Sequence, residues 1–115
     1  MAEELVPVFR VDDAHATAGW YARLGFELIG EHQFEPGFPW YVFLRRGDVH
    51  LHLSEHAGDA PRRSVAYFYV DAVDPIAAEF GVTVETQEWA MREVELTDPD
   101  GNRIRIGEPV PDQQA

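Results

Sequence analysis

The chain has no cysteine, which excludes a disulfide framework, a thiolate nucleophile and any metal site built on thiolates. Basic residues are few: 9 Lys and Arg face 21 Asp and Glu, for a net charge of −12. Nucleic acid is therefore not an expected partner, since neutralising phosphates needs Lys and Arg. A negative field of this size would steer a cation toward the protein, although solubility alone is its simpler explanation. No apolar run is long enough to cross a membrane, and no basic, apolar stretch opens the sequence, so no membrane partner is expected. The lack of cysteine suits a reducing compartment, and the expected location is cytoplasmic.

What is present argues for a folded domain. The 115 residues are 45% hydrophobic and 12% aromatic, enough for one domain whose core needs no disulfide or metal. A weak internal repeat organises it. Val8-Phe9-Arg10-Val11-Asp12-Asp13 leads into a helical stretch that leaves through Leu24-Gly25-Phe26. Phe68-Tyr69-Val70-Asp71-Ala72-Val73-Asp74 leads into another that leaves through Phe80-Gly81-Val82. Turns at Arg46-Gly47-Asp48 and Asp100-Gly101-Asn102 then correspond. The offset is 59 residues from Phe9 to Phe68, 56 from Gly25 to Gly81 and 54 from Gly47 to Gly101. Near-constant spacing predicts two β-α-β-β-β modules, an α+β fold.

Local signals set the boundaries. Strands are expected at 5–10, 27–33, 40–45 and 48–53, with a helix capped by Asp12 or Asp13 and stopped near Leu24 by Gly25. Trp20, Tyr21 and Leu24 are expected on its buried face. In the second half, strands are expected at 65–70, 82–86, 91–97 and 102–107, with a short helix opened by Pro75. The modules thus span 4–54 and 64–108, joined by a linker at 55–63 and followed by a polar tail at 109–115. Period-two alternation puts Val49, Leu51 and Leu53 under a helix with His50 and His52 opposite. It likewise buries Val94, Leu96, Ile104 and Ile106, leaving Glu93, Glu95, Arg103 and Arg105 on the other face. Two curved sheets of this kind are expected to form a cleft lined by polar groups and aromatics, Tyr67 and Tyr69 among them.

Asp98-Pro99-Asp100-Gly101-Asn102 is a hairpin signal with a physical basis. Pro presets φ, Gly supplies positive φ, and Asp and Asn tolerate left-handed geometry. Together with Trp89, Arg92, Glu93 and the Leu24-Gly25-Phe26 helix exit, this segment resembles the vicinal-oxygen-chelate superfamily of glyoxalases, dioxygenases and bleomycin resistance proteins. The likeness runs from Val6 to Glu108 and is greatest to the bleomycin resistance branch.

The resemblance implies one of two activities. Many relatives bind a divalent metal through side chains on the first, fourth, fifth and eighth strands. At the matching positions stand Val6, Val65 and Arg105, none of which can ligate a cation, and only the fourth strand offers imidazoles. No cofactor and no metal at the family's positions are therefore expected. A relocated site built from His50, His52, Glu55 and His56, with His32 nearby, is the alternative, and would imply a metal-dependent glyoxalase- or dioxygenase-like enzyme. A cleft histidine beside a carboxylate would also suit a general base.

The bleomycin resistance branch implies instead non-catalytic sequestration of an aromatic, cationic small molecule by a homodimer. Trp89 matches the branch's drug-stacking tryptophan, although the usual preceding Pro is Glu88. Phe34, Phe38, Trp40 and Tyr41 surround Glu35-Pro36-Gly37 and make an aromatic lip. Flat cations stack on such rings, and Glu31, Glu35, Glu88, Glu93 and Glu95 supply a favourable field. The expected ligand-binding residues are Trp89, Phe34, Phe38, Trp40, Tyr41, Tyr67, Tyr69, Glu93, His50 and His52. Arg92, flanked by acids, is expected to be an ion-pair partner.

Overall fold

The computed structural model describes residues 3–111. The chain divides into two units. One runs to Ser64 and takes in Thr97–Asn102; the other comprises Val65–Leu96 and the chain from Arg103 onward. Their topologies are the same, as the repeat requires.

In the first unit, β1 (Val8–Arg10), α1 (Ala14–Ala22), β2 (Glu27–Gln33), β3 (Trp40–Arg46) and β4 (Val49–Ser54) form a four-stranded sheet in the order β1-β4-β3-β2, with a helix against it. β1 pairs parallel with β4, and the other pairs are antiparallel. β1 begins later than expected because Pro7 has no N–H for the ladder; its carbonyl accepts from His52 N at 3.0 Å. Asp13 caps α1, accepting from Ala16 N at 3.1 Å, and the chain leaves through Gly25 at φ 92°. Tyr21 and Leu24 are buried with Phe9, Val42, Leu44 and Leu53. Trp20 is only half-buried, since adjacent residues on a helix diverge by about 100° and cannot both face the core. Val49, at the hairpin end of β4, is 40% exposed rather than covered.

In the second unit, β5 (Val65–Tyr69), α2 (Asp74–Phe80), β6 (Glu85–Thr86), β7 (Met91–Thr97) and β8 (Arg103–Pro109) repeat the pattern in the order β5-β8-β7-β6. The sixth strand is far shorter than expected. Gly81 ends α2 in left-handed geometry, and Val82 N still bonds Ala77 O at 3.0 Å, so the backbone leaves the helix late. Val94, Leu96, Ile104, Ile106, Ile76 and Val73 are buried, as alternation assigned the four strand residues among them. Arg92 is the ion-pair partner expected of it: its two terminal nitrogens reach Asp74 at 3.0 and 2.9 Å, and one also reaches Glu108 at 2.9 Å. β8 runs through Pro109, and residues 112–115 of the expected tail lie outside the described residues.

The Asp98–Asn102 turn belongs to the first unit and is held there by buried polar contacts. Asp98 Oδ1 accepts from Asp100 N and Asn102 N, and Oδ2 accepts from the Tyr21 hydroxyl at 2.7 Å and Asn102 Nδ2 at 3.1 Å. Asp100 accepts from Asp12 N and the Thr17 hydroxyl, both at 2.8 Å. Asn102 donates to Arg10 O and accepts from Ser64 N. Burial, chiefly, and the Asp98 carboxylate push the Tyr21 phenol far above its ordinary value.

Candidate functional site

Each unit carries a hollow bordered by strand side chains that alternate with its buried ones. In the second unit the hollow has a volume of about 600 Å³ and is bordered by Tyr67, Glu85, Trp89, Glu93, Glu95 and Arg105. Trp89 sits in the loop between β6 and β7, closed by Gln87 N bonding Met91 O at 2.7 Å and Ala90 N bonding Gln87 O at 3.1 Å. Ala90 closes that loop at φ 62°, a left-handed conformation costing a non-glycine residue about 1 kcal/mol or more. The loop leaves the indole 64% exposed. Its Nε1 donates to Glu93 Oε2 at 3.2 Å, and the Tyr67 hydroxyl donates to the same oxygen at 2.5 Å. Desolvation first, and then the bond to Glu93, push the Tyr67 phenol well above its usual range. It therefore stays protonated and donating at neutral pH.

The acids in this hollow are not equivalent. Glu95 Oε1 accepts from Arg105 Nε at 3.1 Å and Arg103 Nη1 at 3.4 Å. Glu85 stands directly opposite Glu93 in the β6–β7 register, a like-charge juxtaposition that sheets normally avoid. Room for Tyr67 comes from Gly107: a Cβ there would lie 2.2 Å from the Tyr67 hydroxyl oxygen and 2.8 Å from Met91 Cε. Sequence reasoning missed Gly107 and Glu85. A glycine inside a strand marks a close approach and was the available signal for the first. Glu85 became visible only once the strand register was known.

In the first unit a hollow of about 500 Å³ is lined by His32, Phe34, Tyr41, Phe43, His56 and Asp59, among others. Phe34 is 68% exposed and lies edge-on to His32 at 4.5 Å and to His56 at 5.8 Å between ring centroids. The Tyr41 hydroxyl pairs with His52 Nδ1 at 2.8 Å. The structure therefore groups Trp89, Tyr67 and Glu93 at one hollow and Phe34 and Tyr41 at the other. It sets the remaining expected residues outside both. Trp40 packs edge-on against His15 at 5.0 Å, Phe38 lies in the exposed β2–β3 loop, and Tyr69 is 70% exposed beside Tyr67. His50 pairs with Glu4 at 3.1 Å.

Burial, aided by nearby His50 and opposed by Glu4, lowers His52 below its ordinary value near 6.5. The sign follows from linkage. As pH falls below about 6.5 the unfolded chain takes up a proton that folded His52 refuses, so stability declines until the folded group also titrates. NMR titration should give His52 a midpoint below that of an unfolded histidine, and His52→Gln should flatten this part of the stability–pH curve.

A metal at the superfamily's positions does not fit this donor set. Val65 is apolar and 48% exposed, Val6 is apolar, and Arg105 is a cation already paired with Glu95. The relocated set does not converge either. Glu55 accepts from Ala14 N at 2.8 Å through one oxygen and from Trp40 N at 3.0 Å through the other, so it holds the start of α1 and of β3. Among the described residues no three His, Asp or Glu side chains cluster as metal ligands would.

A family model described as glyoxalase superfamily protein matches residues 1–113. No curated protein matches the chain. Among solved structures, a bleomycin-binding protein complexed with bleomycin is 24% identical with a TM-score of 0.72, covering 93% of this chain and 98% of that one. A glyoxalase-related enzyme from Clostridium phytofermentans is 22% identical with a TM-score of 0.78, covering 96% and 97%. An antibiotic-binding protein from Streptomyces sp. CB03234 is 22% identical with a TM-score of 0.65, covering 95% and 98%. Likeness at these identities establishes a shared fold, and that fold carries binders and enzymes alike. By the family match over nearly its whole length, and with the fold of the bleomycin-binding proteins, the chain belongs to the glyoxalase superfamily.

Proposed function

We propose that the protein binds and sequesters an aromatic, cationic small molecule without altering it, working as a cytoplasmic homodimer, with a bleomycin-type glycopeptide as the first ligand to test. The observation that carries this reading is the indole of Trp89 held over a hollow whose acids, Glu85, Glu93 and Glu95, outnumber its one base, Arg105. A flat cation gains there from stacking and from charge together. The other hollow, with Phe34 and Tyr41 in its wall, is a second aromatic surface of the same character. Exposed rings such as Phe34 and Tyr69, at 68% and 70%, are surface that a ligand or a second copy would cover. The likeness in fold to a bleomycin-binding protein complexed with bleomycin and to an antibiotic-binding protein supports the choice of ligand. The metal-dependent alternative has no cluster of three His, Asp or Glu side chains among the described residues to support it.

Titration with bleomycin should quench tryptophan fluorescence with saturation at tens of micromolar drug or below. Absence of quenching and of calorimetric heat in that range would exclude antibiotic sequestration. Gly107→Ala offers a remote check. The added methyl must displace the Tyr67 ring, a side chain free to move outward, so stability should change little. Drug affinity should drop about three- to tenfold as the Tyr67–Glu93 bond is lost.

A further inference from the structure

We propose that Glu93 makes the second unit's hollow selective for planar, N–H-bearing cations of the amidinium or guanidinium type. Its Oε2 positions the Trp89 and Tyr67 rings, and its Oε1 accepts the ligand's N–H. The inference rests on the reading of this hollow as the ligand site and names the chemistry it selects.

The argument begins with the division of labour within one carboxylate. Trp89 Nε1 and the Tyr67 hydroxyl both donate to Oε2, from residues on different elements. Oε1 has no hydrogen-bond partner among the described residues, although Glu93 borders the hollow. The same group thus orients both rings and keeps an acceptor in reserve beside them. Position 93 lies within β7, so the acceptor is carried by a paired strand rather than a loop.

The charge balance points the same way. Glu95 is answered by Arg103 and Arg105, whereas Glu93 has no basic partner among the described residues and faces Glu85 across the ladder. A cation bound between the rings would relieve that repulsion. Its shape follows from the walls. A compact ammonium is strongly hydrated and has no face to stack on an indole. An amidinium or guanidinium is planar, weakly hydrated, and directs its N–H bonds outward in its own plane. Stacked against Trp89, such a group meets Oε1 edge-on, and the charge-assisted bond is the strong kind.

The test compares benzamidinium with benzamide, a neutral group of nearly the same shape, by following the Trp89 indole N–H signal in NMR titrations of the full chain at neutral pH. Benzamidinium should bind about tenfold more tightly than benzamide to the native protein. In Glu93→Gln that ratio should fall to about two or less, with benzamide affinity little changed, because the Gln carbonyl still accepts from both rings while its amide presents donors to the ligand. Glu93→Ala should weaken both probes by freeing the rings. A native ratio near one, failure of benzamidinium to bind, or a ratio that survives Glu93→Gln would each overturn the proposal. Its fate is separable from that of sequestration. Bleomycin binding without amidinium preference would sink only the role of Glu93, and amidinium preference without bleomycin binding would sink only the choice of drug.

Discussion

Trp89→Ala should weaken bleomycin binding about 30-fold, and the melting temperature should stay within about 2 °C. The indole is 64% exposed and packs on little of the protein, so its removal creates no core cavity. In the proposed complex, a desolvated ring stacked on a flat cation would contribute about 2 kcal/mol, close to a 30-fold change in affinity. Trp89→Phe separates the components. It keeps a ring but lacks the N–H that donates to Glu93 Oε2 at 3.2 Å, and should cost only about threefold. Calorimetry is the right readout, because either substitution removes the fluorophore expected to report binding. Unchanged affinity in Trp89→Ala would place the ligand elsewhere and remove the main support for the proposed function.

Asp98→Ala should produce the largest loss of stability, about 3–5 kcal/mol, lowering the melting temperature by roughly 12–20 °C. The carboxylate is 4% exposed and accepts four hydrogen bonds, from Asp100 N, Asn102 N, Asn102 Nδ2 and the Tyr21 hydroxyl. Tyr21 and Asn102 are fully buried, so their donors would be stranded away from water when the acceptor is removed. The turn at Gly101, at φ 85°, would also lose the side-chain bonds that shape it. Tyr21→Phe provides the graded comparison. It removes one of the four donors and leaves the other three in place, so a loss of about 1–2 kcal/mol is expected. Urea unfolding of the two variants measures both values. An Asp98→Ala protein as stable as the native one would mean that these bonds are matched by water in the unfolded chain and contribute nothing.

The Asp98–Asn102 segment shows how far sequence reasoning reaches. Its turn was legible because Pro, Gly and Asn report backbone conformations directly. Its larger role was not. That Asp98 meets Tyr21 and that Asp100 meets Thr17 are contacts across 77 and 83 residues, which no local pattern encodes. The helix exit at Gly25 is readable for the same reason, and the inward sets Leu51 and Leu53, Val94 and Leu96, and Ile104 and Ile106 follow from period-two alternation. That Arg92 forms ion pairs is legible from its acidic neighbourhood, but its partners, Asp74 and Glu108, lie 18 and 16 residues away. The sixth strand is shorter than local pattern suggests because α2 keeps its last backbone bond through Val82, which β-propensity at Val82 and Val84 does not reveal.

The candidate site divides along the same line. Trp89 and Tyr67 were placed by alternation and by family likeness. Their common anchor on a single oxygen of Glu93 depends on the register of β7 against its neighbours. Trp40 belongs by sequence to the aromatic lip around Glu35-Pro36-Gly37, but consecutive strand residues point to opposite faces, and its ring packs on His15 rather than beside Tyr41. Glu55 stands close to His52 and His56 in sequence, the spacing of a possible metal ligand. Its oxygens are taken by two backbone N–H groups at the starts of α1 and β3.

By itself the sequence determined the two-module α+β fold, the faces that go inward, the acidic field and the lack of donors at Val6, Val65 and Arg105. These are properties of composition and short-range period, and they survive any rearrangement of distant segments. Only the tertiary structure decided which aromatics share a hollow, which carboxylates are neutralised, and that the Tyr67 ring rests on Gly107. Each of those depends on register between strands separated by tens of residues, and a one-residue slip would turn every such side chain to the other face.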